Sequence, residues 1–333
     1  MSTETPVAVT GAEGFIGSHL VQALIASGRR VRAMVQYNSF ASHGWLELLS
    51  ADELAQVEVV LGDVRDPGSV RQLVAGSDTV YHLAALIAIP YSYRAPRSYV
   101  DTNVGGTLNV LEAVREYGIP RLVHTSTSET YGTAQTVPIS EDHPISTQSP
   151  YSASKAGGDR LADAYHASFG TPVVTLRPFN TFGPRQSMRA VIPTVIGQVA
   201  GGATEVTLGD LRPTRDFNYV ADTAAAFLAV GTAPAEQVVG RTFNAGTGGE
   251  ISVGDLVHLI GKLMETDLAV REDPRRLRPS GSEVMRLVCD ASRLRAATGW
   301  APTHSLEEGL RRTIDFFRDP AHLARYKTTD YNV

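Results

Sequence analysis

The chain has 333 residues, 43% hydrophobic and 20% charged, with a formal net charge of -5. That length suits one large domain or two modest ones, and the charge balance carries no nucleic-acid footprint. The single cysteine, Cys289, excludes an intramolecular disulfide. In the apolar run "RLVCD" it reads as a buried strand residue.

The opening "MSTETP" lacks the charged start and long apolar stretch of a signal peptide. No uninterrupted run of about 18 apolar residues follows, so a spanning helix is not expected. A cytosolic chain away from membranes is the expectation. "VAVT" at 7–10 predicts a first strand and 15–27 a helix. Further strands are predicted at 30–35, 57–63 and 79–85, with helices near 43–54 and 68–75 between them. A helix near 101–117, a strand at 121–125, a helix near 151–168 and a strand at 172–178 come next. This alternation predicts an α/β fold with a parallel sheet covered on both faces. After Pro178 the texture shifts to Gly, Pro and Arg, then "YVADTAAAFLAVG" restores a helical period and "RTFNAG" reads as a strand. The expected organisation is interleaved. Residues 1–178 with about 218–245 would build the sheet domain, and 179–217 with 246–328 a smaller lobe.

"VAVTGAEGFIGSHL" places Gly11, Gly14 and Gly17 between strand and helix. Gly11 permits a tight turn, Gly14 lets backbone approach a pyrophosphate, and Gly17 lets the helix lie close to the sheet. The phosphates would meet the amides at the helix start, where Phe15 and Ile16 lie. The spacing is Gly-x-x-Gly-x-x-Gly rather than Gly-x-Gly-x-x-Gly, and without a ligand it would be a tight strand-to-helix turn. An NAD site often has a carboxylate about 20 residues further on, at the end of the second strand. Here that place reads "VQYNSF": Gln36, Tyr37 and Asn38 offer neither acid nor arginine, although Arg32 lies on the same strand. NAD is expected over NADP, with Gln36 and Asn38 near the ribose. Asp63, followed by Val64, could contact the adenine side or cap a turn, and Ala84 and Ala85 are small enough to admit the nicotinamide ribose.

"YSASK" puts Tyr151 and Lys155 four apart, on one face of a predicted helix. A phenol with a pKa near 10 is a poor base at neutral pH, and a nearby ammonium would lower that value. Tyr151 could then take a proton from a hydroxyl whose carbon gives hydride to nicotinamide. Lys155 could also hold a ribose hydroxyl, and Thr127 could hydrogen-bond the same substrate oxygen. A tyrosine–lysine pair alone often marks only a solvated helix face; joined to the glycine turn it points to redox chemistry.

"TGAEGFIGSHL", "HLAA", "NVGGTLNV", "STSETYG", "YSASK" and "RPFNTFGPR", in that order, resemble the extended short-chain dehydrogenase/reductases, and specifically the nucleotide-sugar dehydratases and epimerases. The resemblance covers nearly the whole chain. It implies a Rossmann-type doubly wound parallel sheet with a smaller C-terminal lobe for the nucleotide sugar, and tightly bound NAD(P) with no metal. It also implies a homodimer through helices about 101–117 and 151–168.

Within that resemblance Glu129 is the telling residue. C4 epimerases usually lack an acid here, whereas 4,6-dehydratases have a glutamate. Oxidation at C4 acidifies the C5 hydrogen, a carboxylate can remove it, and the C6 hydroxyl leaves as the held hydride returns to C6. Many sugar dehydratases have aspartate just before this glutamate; here it is Ser128, too weak an acid for full protonation but able to relay or orient. Glutamate would then serve both steps. Nucleotide-sugar decarboxylases also carry Thr-Ser-Glu, and a 5,6-dehydratase would share nearly every catalytic residue. The flanking segments resemble bacterial 4,6-dehydratases of nucleotide-linked N-acetylglucosamine.

For the nucleotide diphosphate, the resemblance implies Asn180 in "RPFNTFG", Arg215 in "RPTRDF", and Arg278 with Glu283 in "RLRPSGSEV". Glu283 would take a hydrogen bond from the nucleotide ribose. Each could instead be a surface charge or a lobe-to-lobe ion pair, and Arg177 reads as structural. A non-enzymatic dinucleotide binder is the rival class; it would not need Thr127, Glu129, Tyr151 and Lys155 together. The pattern does not separate uracil, guanine and thymine.

Overall fold

A computed structural model describes residues 5–328. Its largest element is a seven-stranded sheet, every adjacent pair parallel. In chain order the first six strands are β1 (Val7–Thr10), β2 (Val31–Gln36), β3 (Val57–Gly62), β4 (Thr79–His82), β5 (Leu122–Thr125) and β6 (Val173–Pro178). Across the sheet the order is Thr242–Ala245, β6, β5, β4, β1, β2, β3. The chain therefore runs outward from β1 to β3, then crosses back to β4. A crevice opens beyond the carboxyl ends of β1 and β4, where ligands bind in open α/β sheets.

Side-chain alternation explains why both faces are apolar. Val7 and Val9 of β1 join one core with helix α1 (Phe15–Ala26) and the helix Val220–Thr232. Ala8 joins the opposite core, under the helices Pro67–Val74, Gly106–Glu116 and Pro150–Phe169. Successive strand residues point to opposite faces, so a strand covered on both sides must be apolar throughout. A third core gathers Phe182, Ile192, Val206, Leu256, Leu310 and Phe317. It lies among the helices Val191–Ala200, Val253–Leu263 and Leu306–Arg318 and several short strands. Among the described residues no helix is long and apolar enough to cross a membrane.

Two predicted helices differ in detail. The expected helix near 43–54 is a 3-10 turn, Gly44–Leu48, and a short helix, Ala51–Leu54. Leu49 is extended between them, and Ser50 starts the second with a reciprocal cap to Glu53. A serine–glutamate box inside an apolar period starts a new helix rather than continuing an old one. The helix expected at 101–117 begins as a π-helical stretch, Val100–Gly105, before its α-helical part. That stretch carries buried Asn103, whose amide nitrogen donates to Leu86 O and Ser154 Oγ, both at 2.9 Å. One side chain thus ties the segment after β4 to the Pro150–Phe169 helix. Cys289 is buried as expected.

Candidate active site

A cavity of about 870 Å³ lies in the crevice and runs from the glycine turn to the third core. Gly11, Gly14, Phe15, Ile16, Gly17, Gln36, Asp63, Val64, Ala84 and Ala85 line one part of it. Thr127, Ser128, Glu129, Tyr151 and Lys155 line the middle, and Asn180, Arg215, Arg278 and Glu283 the far part. Residues spread over 270 positions of sequence therefore share one space.

The glycine turn fits a dinucleotide. Gly11 has a φ of +66°, and a Cβ there would stand 2.8 Å from Ala84 N. A Cβ on Gly17 would stand 2.0 Å from Gly11 O, so only glycine lets α1 sit this close to the strand end. No side chain caps the start of α1 and no acid occupies its first turn, which leaves its amide end suited to a diphosphate.

The centre is built by two neighbouring elements. After β5 the chain makes a 3-10 turn, Ser128–Tyr131, with Thr127 Oγ1 accepting from Glu129 N at 3.3 Å. The Pro150–Phe169 helix starts at Ser149, whose hydroxyl accepts from Ser152 N, with proline in its first turn. This start fixes Tyr151 and Lys155 one turn apart on the face turned to β5. Thr127 and Tyr151 both line the cavity, and Thr127 acts to lower the pKa of the Tyr151 phenol. Lys155 Nζ donates to Thr125 O at 2.5 Å, and the Tyr99 ring meets Tyr151 edge-on.

Burial revises the expected electrostatics. The ammonium was expected to lower the Tyr151 phenol. Instead, desolvation pushes that phenol well above its ordinary value, with Glu129 and other negative groups adding to the rise and Thr127 opposing it. Desolvation also takes Lys155 down to about 8, with Asp159 opposing. Asp159 lies one turn beyond Lys155. Burial works against its charge, but His124, Arg177 and Ser126 outweigh that and hold it at about 2. Arg177 pairs with Asp159 at 3.0 Å and donates to Tyr131 Oη at 3.0 Å, which makes it the structural arginine expected.

At the far part Arg215 meets Glu283 at 3.3 Å, and Arg278 lies 3.8 Å from Glu283 and 3.9 Å from Glu129. One arginine thus stands between the carboxylate after β5 and the acid of the far lobe. Asn38 is the expected site residue that falls outside the cavity. Its amide donates to Gln36 O and Ser42 O and accepts from Phe40 N and Ser42 N, so the side chain folds its own loop. Arg32 is also turned elsewhere, paired with Glu58 and donating to Leu73 O and Ala75 O. Asp63 lines the cavity but is gripped by Arg65. Sequence reasoning missed Glu13, Arg189 and Arg276, which also line it. The arginines lie in the Gly-, Pro- and Arg-rich stretches where a phosphate-binding lobe was expected.

Comparison with known proteins matches residues 8–313 to the family model described as GDP-mannose 4,6 dehydratase. The chain belongs to that family. It is an NAD(P)-dependent enzyme of the extended short-chain dehydrogenase/reductase type that modifies nucleotide sugars. It is 34% identical over 332 residues to a dTDP-glucose 4,6-dehydratase of Xanthomonas campestris pv. campestris, covering 93% of this chain and 92% of that one. It is 33% identical over 316 residues to a UDP-glucose 4-epimerase of Mycolicibacterium smegmatis, covering 93% and 98%. The crystal structure of DesIV, a dTDP-glucose 4,6-dehydratase from Streptomyces venezuelae with NAD bound, superposes with a TM-score of 0.86 at 28% identity, covering 97% of this chain and 99% of that one.

Proposed function

We propose that the enzyme is a nucleotide-sugar 4,6-dehydratase acting on an NDP-hexose such as NDP-N-acetylglucosamine. The observation that carries this reading is Glu129, a carboxylate lining the same cavity as Tyr151 and Lys155, on a turn capped by Thr127, which lines that cavity too. A C4 epimerase has no step that needs it.

In this reading Tyr151 and Thr127 take the C4 hydroxyl, and Tyr151 receives its proton as a phenolate. The Lys155 ammonium and a bound, positively charged nicotinamide would favour that form over the neutral phenol that burial alone sets. Bound NAD(P) supplies the acceptor for the C4 hydride and its return to C6. Glu129 takes the C5 proton, which the new C4 ketone has acidified. The C6–oxygen bond then breaks, and the leaving hydroxide takes a proton from Glu129, with Ser128 orienting it, to depart as water. Once C6 carries the hydride, C5 takes a proton from solvent, balanced by the one that Tyr151 releases. Lys155, held against Thr125 O, keeps positive charge beside the phenol and the nicotinamide ribose. Asn180, Arg215 and Arg278 hold the nucleotide diphosphate and Glu283 takes a hydrogen bond from the nucleotide ribose, with Arg189 and Arg276 added by their place in the cavity.

Residues 1–178 with about 218–245 would serve as the dinucleotide domain, and 179–217 with 246–328 as the nucleotide-sugar lobe. Two copies would pair through the helices about 101–117 and 151–168, where Val100, Leu108, Tyr117 and Phe169 are exposed on or beside them. The test incubates purified enzyme with UDP-, GDP- and dTDP-sugars and reads product mass. Loss of water supports 4,6-dehydration, loss of carbon dioxide would establish a decarboxylase, and an isomer of unchanged mass an epimerase. A 5,6-dehydratase loses water too, but its product lacks the hydride at C6.

A further inference from the structure

We infer that Glu13, in the glycine turn, is the carboxylate that takes a hydroxyl of the adenosine ribose and turns away a 2′-phosphate, making NAD the preferred dinucleotide. This rests on reading the cavity as a dinucleotide site. The end of β2, where such an acid usually stands, is occupied by Gln36, and Asn38 is committed to its own loop. Glu13 reaches the same place from the other side. Its Oε1 accepts from Gln36 N at 3.0 Å, which brings the carboxylate to the carboxyl end of β2.

The position is held from behind as well. Trp45 N donates to Glu13 O at 3.0 Å. A Cβ on Gly44 would stand 2.7 Å from Glu13 O and 3.0 Å from Glu13 Cβ, so the turn at 44–45 closes directly on this residue. Glu13 lines the cavity, and its second oxygen, Oε2, is buried without a hydrogen-bond partner. A buried carboxylate oxygen calls for a donor. A ribose hydroxyl is one. A 2′-phosphate brings only acceptors and further negative charge. Burial raises the Glu13 carboxyl above its ordinary range, with the Gln36 amide opposing, as fits a group whose second donor arrives with a ligand.

The neighbouring charges do not reverse this preference. Asp63 accepts at Oδ1 from the Arg65 amide and Nε, and at Oδ2 from Arg65 Nη2, so both oxygens are occupied. The same bonds hold the Arg65 guanidinium, the cation at this edge of the cavity that could otherwise meet a phosphate.

The experiment incubates the purified enzyme with an equimolar excess of NAD and NADP, washes and denatures it, and counts the released dinucleotides. Wild type is expected to carry NAD over NADP by at least about tenfold, because like charges brought together are strongly disfavoured. Glu13→Gln keeps an acceptor for Gln36 N but loses the charge, and its NAD:NADP ratio is expected to fall by at least about tenfold. Glu13→Ala, which leaves every glycine of the turn in place, is expected to move the ratio the same way. Asp63→Asn is run alongside. A ratio that moves in Asp63→Asn and stays put in both Glu13 variants would hand the role to Asp63. Wild-type preference for NADP would also overturn the inference. Release of neither dinucleotide would overturn the cavity reading itself.

Discussion

Replacing Asp159 by Asn removes one negative charge from a place where every partner is buried. Asp159 Oδ1 accepts from His124 Nε2 at 3.0 Å. Oδ2 accepts from Ser126 Oγ at 2.6 Å and from Arg177 Nη2 at 3.0 Å. Asp159 is 2% exposed and Arg177 4%. Asparagine keeps one acceptor and turns an amide toward groups that are themselves donors, and Arg177 is left buried without its counter-charge. Breaking such a pair from one side costs about 3–5 kcal/mol. At ~2.1 cal/mol/K per residue the whole chain unfolds with ~0.7 kcal/mol/K, so Tm should drop by ~4–7 °C. The folded carboxyl lies at about 2 against an ordinary 3.8. Its contribution is therefore fully present above about pH 4 and is lost as pH falls through about 2. Scanning calorimetry of both proteins at neutral pH and at several acid values checks this, since the other carboxylates titrate alike in both. A neutral-pH gap below ~1 °C, or one that stays constant down to pH 2, would refute the reasoning.

Tyr151→Phe should retain dinucleotide and lose about 10²–10⁴-fold in turnover, as read from single-substrate rates; a wild-type rate would remove Tyr151 from the chemistry. Lys155, taken down to about 8 by burial, should lose its charge as pH rises through that value, and kcat/KM should fall with it. A profile flat from about pH 7 to about pH 9 would count against a charged lysine in the reaction. Glu129→Gln should still show reduced nicotinamide absorbance when sugar is added but almost no solvent deuterium at C5. Rapid exchange there would name another base.

The strands were legible because the sheet is buried on both faces. "VAVT" and "VVTLRP" need no partner in sequence to read as extended apolar runs, and the structure buries both throughout in the parallel sheet. The tyrosine–lysine spacing was legible for a similar reason: four residues on a helix determine a common face whatever lies opposite. What lies opposite was not legible. The expected lowering of the Tyr151 phenol took account of the lysine and omitted the burial, and burial decides the direction. Asn38 was expected at the ribose and Glu13 was missed. A polar residue at a strand end looks the same whether it faces a ligand or folds its own loop. An acid between two glycines gives no hint that its side chain will reach the end of the second strand, 23 residues away.

The carboxylates of this chain differ less in sequence than in what already occupies their oxygens. Asp159 is supplied by a histidine, a serine and an arginine. Asp216 takes the amides of Thr247, Gly248 and Cys289 and the Thr247 hydroxyl, and so ties three separate segments together. Asp222 takes the amides of Thr303 and His304 and the Thr303 hydroxyl, and so ties two segments together. Such filled acceptors have nothing left for a ligand, and changing one of these residues should be felt first in stability. Asp63, though it faces the cavity, belongs with them because Arg65 takes both oxygens. Glu13 keeps one oxygen without a donor. Glu129 faces its arginine at 3.9 Å, beyond hydrogen-bond reach. A carboxylate that is to accept a substrate proton must leave room on its oxygens, and one that is to bind a ribose must leave an acceptor open. On the proposed reading, open acceptors mark Glu13 and Glu129 off from Asp63, Asp159, Asp216 and Asp222, a distinction that spacing along the chain could not have drawn.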